Sequence, residues 1–229
     1  MKTLSLATGC LCLAAALGAA PAQAGDPAFG IGLRAGTLGI GADLDFKLND
    51  SLNVRMGYAG GSISRSVTDT QVHYDGTLKL SNPSALIDWR PFQGVFHLTA
   101  GAVASSTKIE ATGVPAAGGS YTINGNTYTS ADIGSVSGEF KFGNSVAPYV
   151  GLGWGNVVGT SGHFSVLFDV GAIYAGSPKI ALTANCTSAV PAVCTQLQSD
   201  VDAEKAKLAK DLTILKWYPV VSLGFGYRF

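Results

Sequence analysis

Residues 216–229, KWYPVVSLGFGYRF, carry the reading on which the rest of the chain depends. From Trp217 every second residue is apolar or aromatic (Trp217, Pro219, Val221, Leu223, Phe225, Tyr227, Phe229). The residues between them (Lys216, Tyr218, Val220, Ser222, Gly224, Gly226, Arg228) are mostly small or polar. Period two marks a strand with two unlike faces. In a soluble sheet a second layer hides the apolar face. Aromatics near both ends equally suit a strand of a membrane-spanning barrel, whose outer face meets hydrocarbon.

The same alternation recurs upstream, in 29–36, 38–46, 52–60, 77–89, 95–104, 136–142, 149–155, 164–174 and the short segment 179–184. Within 77–89 the apolar parity changes: Leu78 and Leu80 are even, whereas Ala85, Ile87 and Trp89 are odd, with Pro83 between them. An extra residue flips facing and proline cannot donate to a ladder, so a β-bulge is expected there. Segments 47–51, 90–94, 143–146 and 176–178 read as tight turns at one end. Segments 61–74, 105–132, 157–162 and 183–213 read as longer loops at the other, the asymmetry of a membrane barrel. The expectation is all-β: a closed antiparallel up-and-down transmembrane barrel of ten strands, with eight as the alternative if 179–184 and one other fall away. Asn124-Gly125 between β-forming flanks signals a two-residue hairpin. Ser199 to Asp202 resembles a capping box, and Leu197, Val201, Leu208, Leu212 and Leu215 share one helical face. A surface helix over about 199–213, in the last long loop, follows.

Residues 1–24 read as an export signal, with Lys2 in the n-region, a short apolar core and Ala22-Gln23-Ala24 as the cleavage site. Residues 25–229 then form one barrel domain. Cys10 and Cys12 leave with the signal, and Cys186 and Cys194 are close enough in an oxidising compartment to pair. The chain is 47% hydrophobic with 30 glycines and only 13% charged residues. Beyond the signal no run approaches the ~18 apolar residues of a membrane helix. A formal charge of +0 gives no footing for nucleic acid.

The closing strand, ending on Phe229, resembles that of bacterial outer-membrane β-barrels. The wider chain resembles the small-barrel superfamily of outer-membrane proteins A and W. The segments YDGTLKL (74–80), LIDWRPF (86–92), YTINGNTYT (121–129), APYVGLGWGN (147–156), FDVGAIYAGSPKI (168–180) and KWYPVVSLGFGYRF are most similar to a proteobacterial family of uncharacterised outer-membrane proteins. The resemblance implies outer-membrane location with both termini in the periplasm, and surroundings of membrane lipid and lipopolysaccharide. It also implies an assembly signal in Phe225, Tyr227 and Phe229, read by the barrel-assembly machinery. It brings no activity.

By parity the lumen receives Arg34, Arg55, Lys141, Lys216 and Arg228 against Asp43, Asp45, Asp88, Glu139 and Asp169, with His97 among them. A selective channel shows a ring of one sign. A balanced set in a narrow tube pairs internally, because unpaired charge away from water is costly. The expectation is therefore a largely filled lumen and a structural or surface-interaction role, with a narrow solute channel as the alternative. Lipid-modifying catalysis ranks third: His97, Thr99 and Asp88 are the right residue types for a nucleophile arrangement, yet they point away from the bilayer. His73 and His163 stand alone in loops. No zinc-ligand spacing occurs, and neither a metal nor another cofactor is expected.

Overall fold

The computed structural model describes residues 29–68, 72–159 and 162–229; the expected export signal lies outside the described residues. In chain order the strands are β1 (Phe29–Gly36), β2 (Gly39–Lys47), β3 (Leu52–Thr68), β4 (Val72–Trp89), β5 (Phe96–Val103), β6 (Lys108–Pro115), β7 (Ser120–Ile123) and β8 (Asn126–Thr129). They continue as β9 (Ile133–Lys141), β10 (Ala147–Trp154), β11 (Phe164–Tyr174), β12 (Lys179–Cys186) and, after helix α1 (Pro191–Asp211), β13 (Trp217–Arg228). Pairing runs β1-β2-β3-β4-β5-β10-β11-β13 and closes from β13 onto β1, giving an eight-stranded antiparallel barrel. Above the ring, the upper half of β4 pairs with β6, β6 with β9 and β9 with β12.

Eight strands replace the expected ten because 143–146 and 176–178 are kinks within strands, not reversals. Ser84 faces Val103 and Lys79 faces Lys108 in one unbroken register, and the amides of Ala104 and Ser106 donate to Pro83 and Ser81 carbonyls across the gap. β5 and β6 are thus one long stave. β9 runs into β10 and β11 into β12 in the same way, and the two kinks touch where the Asn144 amide donates to the Ala175 carbonyl. The expected loop at 61–74 is mostly ladder too, since β3 stays paired with β4 out to Thr68–His73. No bulge occurs at Pro83: the β3–β4 register is continuous through Tyr58–Pro83.

The wall is therefore uneven. β1, β2 and β13 stop at a low rim around Thr37, while the other five staves rise well past it. We refer to the tall end and the turn end. Of the segment 157–162, expected with the long loops, the described residues 157–159 and 162 belong to the turn end, together with 48–51, 90–95 and both described termini.

The outer face of the ring is greasy: Ile40 is 76% exposed and Phe225 67%. From Trp217 to Tyr227 the closing strand advances about 33 Å, or about 25 Å along the axis at a ~40° tilt, the height of a bilayer's apolar band. Aromatic pairs mark both borders: Tyr174–Trp217 near the rim, and Phe164–Tyr227 and Phe29–Phe229 at the turn end, each with ring centroids 5.1 Å apart. Rings of this kind seat at the water–lipid boundary.

Above the rim the polarity of the two faces inverts. The inner face, polar in the ring, becomes apolar (Leu78, Leu80, Ile109, Val136, Phe140, Leu182), and the outer face becomes charged. Val136, Phe140 and Phe142, expected to face lipid, pack inward instead. Helix α1 starts at Pro191, eight residues before the expected start, since proline's fixed φ suits the first helical position. Ser199 to Asp202 lies mid-helix and caps nothing.

Candidate functional site

The lumen is closed by three stacked layers. At the turn end the segment after β10 folds into the opening and buries Val157 and Val158. Room comes from lumenal glycines: a Cβ at Gly30 or Gly226 would lie 2.5 or 2.6 Å from a Val157 methyl. Polar ties fix this stopper, with Ser165 Oγ donating to the Asn156 carbonyl at 2.7 Å and the Arg228 guanidinium donating to the Gly159 carbonyl.

The middle layer is ionic. Arg55 Nη2 reaches Asp88 Oδ1 and Asp169 Oδ1, both at 3.1 Å. Arg34 bridges Asp43 and Asp169, and His97 Nε2 pairs with Asp169 Oδ1 at 3.2 Å. Asp169 is the hub because two guanidiniums and an imidazole converge on it. Register explains how His97 reaches it: both residues lie opposite Gly153, on the strands either side of it. A Cβ at Gly153 would sit 2.6 Å from the imidazole Nε2, so only glycine leaves the contact open. Asp45 and Arg90 complete the layer, both 2% exposed.

The upper layer is apolar, built from Leu86, Val103, Phe142, Tyr149, Ile173 and Val220, with Leu38 and Tyr218 against it. Between it and the charges a cavity of about 70 Å³ remains, room for a few waters.

The lumenal expectation thus divides. Arg34, Asp43, Asp45, Arg55, Asp88, His97 and Asp169 share the ionic layer. Arg228 serves the stopper, and Lys216 sits in the 3₁₀ turn before β13, at the rim. Glu139 and Lys141 are not lumenal. They lie on the outward face of the tall sheet, where Lys79–Glu110 (3.0 Å), Lys108–Glu110 (2.7 Å), Lys108–Glu139 (2.6 Å) and Lys141–Glu139 (2.6 Å) form a continuous ion-pair row. The Lys108 and Lys79 ammoniums hold the Glu110 carboxyl down at about 2. The nucleophile arrangement is not assembled either: Thr99 Oγ1 donates to Asp88 at 2.6 Å, while the His97 imidazole faces Asp169.

Three residues outside the expected set matter. Asn82, 1% exposed, donates to the Leu38 carbonyl at 2.9 Å and accepts from Ser105 Oγ at 2.7 Å, pinning the rim to the break between β5 and β6. Arg90, expected in a turn, points into the lumen. Asp200, expected to cap, is a buried anchor: it accepts from Asn126 Nδ2 (2.8 Å), Asn124 Nδ2 (3.1 Å), Gln196 Nε2 (3.2 Å) and the Tyr128 hydroxyl. The Tyr128 hydroxyl and the two asparagine amides hold its carboxyl down at about 2. Burial, with the bond to Asp200, pushes the Tyr128 phenol up to about 12. Parity and capping patterns carry no sign of this long-range tether. The only local clue to its hairpin end is Asn124-Gly125, which turns β7 into β8 with φ of 51° and 87°.

Asp200 ties α1 to the β7–β8 hairpin. The apolar seam beneath, from Ile123, Tyr128, Ile133, Leu197 and Val201, seats both on the inner face of β9 and β12. A disulfide between Cys186 and Cys194 joins the end of β12 to the first turns of the helix. Backbone, seam, carboxylate and disulfide together make the tall end a rigid lobe.

No protein-family model matches the chain, and no curated protein does. Among the crystal structures it resembles are two from Acinetobacter baumannii. Acinetobacter baumannii CarO2 aligns at 25% identity and a TM-score of 0.62, over 89% of this chain and 99% of that one. Acinetobacter baumannii CarO aligns at 26% identity and 0.58, over 87% and 97%. With the lipid-facing belt, this likeness makes the chain an integral β-barrel of the bacterial outer-membrane kind.

Proposed function

We propose that the barrel is a non-conducting anchor and that the rigid lobe at the tall end is the working part, an interaction platform held outside the cell. The carrying observation is the inversion of polarity above the rim: the tall staves turn their apolar face inward and a charged face outward, as a wall standing in water requires. The three stacked layers support closure of the lumen. The position of Phe29 and Phe229 beside the short turns supports both termini lying in the periplasm, which puts the lobe outside. The aromatic strand end at Phe225, Tyr227 and Phe229 suits handling by the assembly machinery, and membrane lipid with lipopolysaccharide is the expected surround. Narrower kinship with outer-membrane proteins A and W belongs to the same proposal. We assign no catalysis, because the buried Thr99 hydroxyl serves Asp88 and no route leads a lipid to it.

Two measurements test the reading. Refolded protein in a planar bilayer is expected to give no unitary conductance; steady steps from wild type would restore the narrow-channel alternative. In cells, a photo-crosslinking residue at Thr122 or Thr127, both exposed on the hairpin, is expected to capture a discrete partner that the lipid-facing control Ile40 does not. Equal patterns at all three positions would remove the platform.

A further inference from the structure

Between the low rim and the tall wall lies a cavity of about 370 Å³, lined by Leu78, Leu80, Ile109, Phe140, Leu212 and Tyr218 among others. Its floor is the apolar layer that closes the lumen, through Phe142. Its volume is that of a ligand site, but it lacks the convergent polar groups that orient a water-soluble ligand. The hydroxyls among its lining residues are those of Thr37, Thr107 and Tyr218, the last donating to the Thr37 carbonyl. The two threonines are likewise committed, since Thr37 Oγ1 donates to the Pro219 carbonyl and Thr107 Oγ1 to Asn82.

Direction of access decides the occupant. The β2–β3 ladder ends at Ile40–Gly60, so on that side the upper edge of β3, from Gly61 to Thr68, pairs with no strand among the described residues. On this flank the wall is only as high as Thr37, whose carbonyl accepts from the Tyr218 hydroxyl at 3.0 Å and whose neighbours on the outer surface are the lipid-facing Ile40, Val221 and Trp217. The cavity begins one to three residues above that line, since Leu80 faces Gly61 and Leu78 faces Ile63. The apolar belt and the apolar cavity thus adjoin across the rim, where Lys216, next to Trp217, is a charged side chain.

We propose that this cavity holds one acyl chain of a lipid from the bilayer leaflet at the tall end, bent over the rim while its headgroup stays at the interface. The inference needs only that the barrel is embedded in a membrane, and it stands or falls separately from the surface-partner reading. Because the chain leaves hydrocarbon and not water, the gain lies in the cavity wall, whose apolar surface the chain removes from water, so a chain too short to cover that wall binds less well.

The test uses the full-length protein in vesicles. Trp89, Trp154 and Trp217 are replaced by Phe, and Phe140→Trp places a single indole on the cavity wall. Vesicles made with dibrominated-chain phosphatidylcholine are expected to quench this indole about as strongly as they quench a lone Trp217 in the belt. Acrylamide in the water is expected to quench it weakly. A Thr77→Trp control, on the opposite face of the tall sheet, should show the reverse. Quenching of Trp at position 140 by acrylamide and not by brominated chains would mean a water-filled cavity and would overturn the proposal. If the reporter fails to fold, native mass spectrometry of the otherwise unaltered protein decides. One retained lipid per barrel is expected, at least tenfold depleted in Leu80→Trp, and retention unchanged by that substitution overturns the assignment.

Discussion

Replacing Asp169 by Ala tests the closed lumen at its hub. The carboxylate is 2% exposed and pairs with Arg55 and His97 at 3.1 and 3.2 Å and with Arg34. Removing one member of a buried ionic cluster strands its partners and costs about 3–5 kcal/mol. Here Arg34 keeps Asp43 and Arg55 keeps Asp88, so the lower end, about 3 kcal/mol, is expected. The assay is urea unfolding of vesicle-refolded protein followed by tryptophan fluorescence. With a slope of about 2 kcal/mol per molar, the midpoint should fall by about 1.5 M. Glu139→Ala on the outward ion-pair row is the control and should leave the midpoint in place, because exposed pairs contribute little. Combining Asp169→Ala with Arg34→Met should give a non-additive result, with a coupling of about 0.5–3 kcal/mol. A midpoint shift for Asp169→Ala as small as that for Glu139→Ala would refute the reasoning, because it would mean that water, rather than paired charge, fills the barrel.

Three further outcomes follow from the lobe and the stopper. The folded Asp200 carboxyl sits at about 2 against an ordinary 3.8, so its contribution is complete above pH ~4 and is lost as pH falls toward 2. The Tyr128 phenol, raised from 10.0 to about 12, contributes below pH ~10 and loses that contribution as pH rises through 12. Amide-exchange protection of the hairpin and helix should therefore be flat between those limits and fall outside them, and a fall centred near neutrality would contradict the tether. Opening the disulfide with Cys186→Ser and Cys194→Ser releases a short loop worth about 2.5 kcal/mol on the chain-entropy estimate; exchange should quicken in α1 while the midpoint of the ring holds, and a lower ring midpoint would argue against a separable lobe. Val157→Asp places a carboxylate among the buried methyls of the stopper and should raise cysteine-reagent access to a probe at Asn53 at least tenfold, whereas unchanged labelling would show that the turn-end segment does not seal the opening.

Much of the ring was legible because parity is a reliable guide wherever lipid lies outside and side chains fill the inside. That rule placed Arg34, Asp43, Asp45, Arg55, Asp88, His97 and Asp169 on one face, and the observed register puts them in one layer. It could not say which partner each would find, since the Asp169–His97 contact depends on an intervening glycine on a third strand. Asn82 and Asp200 were hidden for a related reason. Each is a polar residue whose partners, apart from Gln196 one turn before Asp200, lie more than 20 positions away in the sequence, and alternation records facing rather than contact.

The miscounted strands have one physical origin. Alternation shows that two faces differ, and the identity of the inner face depends on what lies outside. Where the staves leave the membrane that environment changes from hydrocarbon to water, and the chain answers in two ways. β4 passes through without an extra residue, so its apolar parity has to switch, from odd Ala85, Ile87 and Trp89 to even Leu78 and Leu80; the switch imitates a bulge at Pro83. The stave of β9 and β10 takes the other course. Val103–Ala147 in the ring and Lys108–Lys141 above it span five residues on one side and six on the other. That extra residue turns the backbone over, so the even series Val136, Phe140, Val150, Leu152 and Trp154 stays apolar while its upper members face inward and its lower members face lipid. An unbroken sequence pattern therefore conceals a reversal of facing, and a broken one conceals a straight strand. The rotation that carries Phe140 inward also carries Glu139 and Lys141 outward, which is why two charges expected to pair inside the barrel instead complete the row on its outer wall.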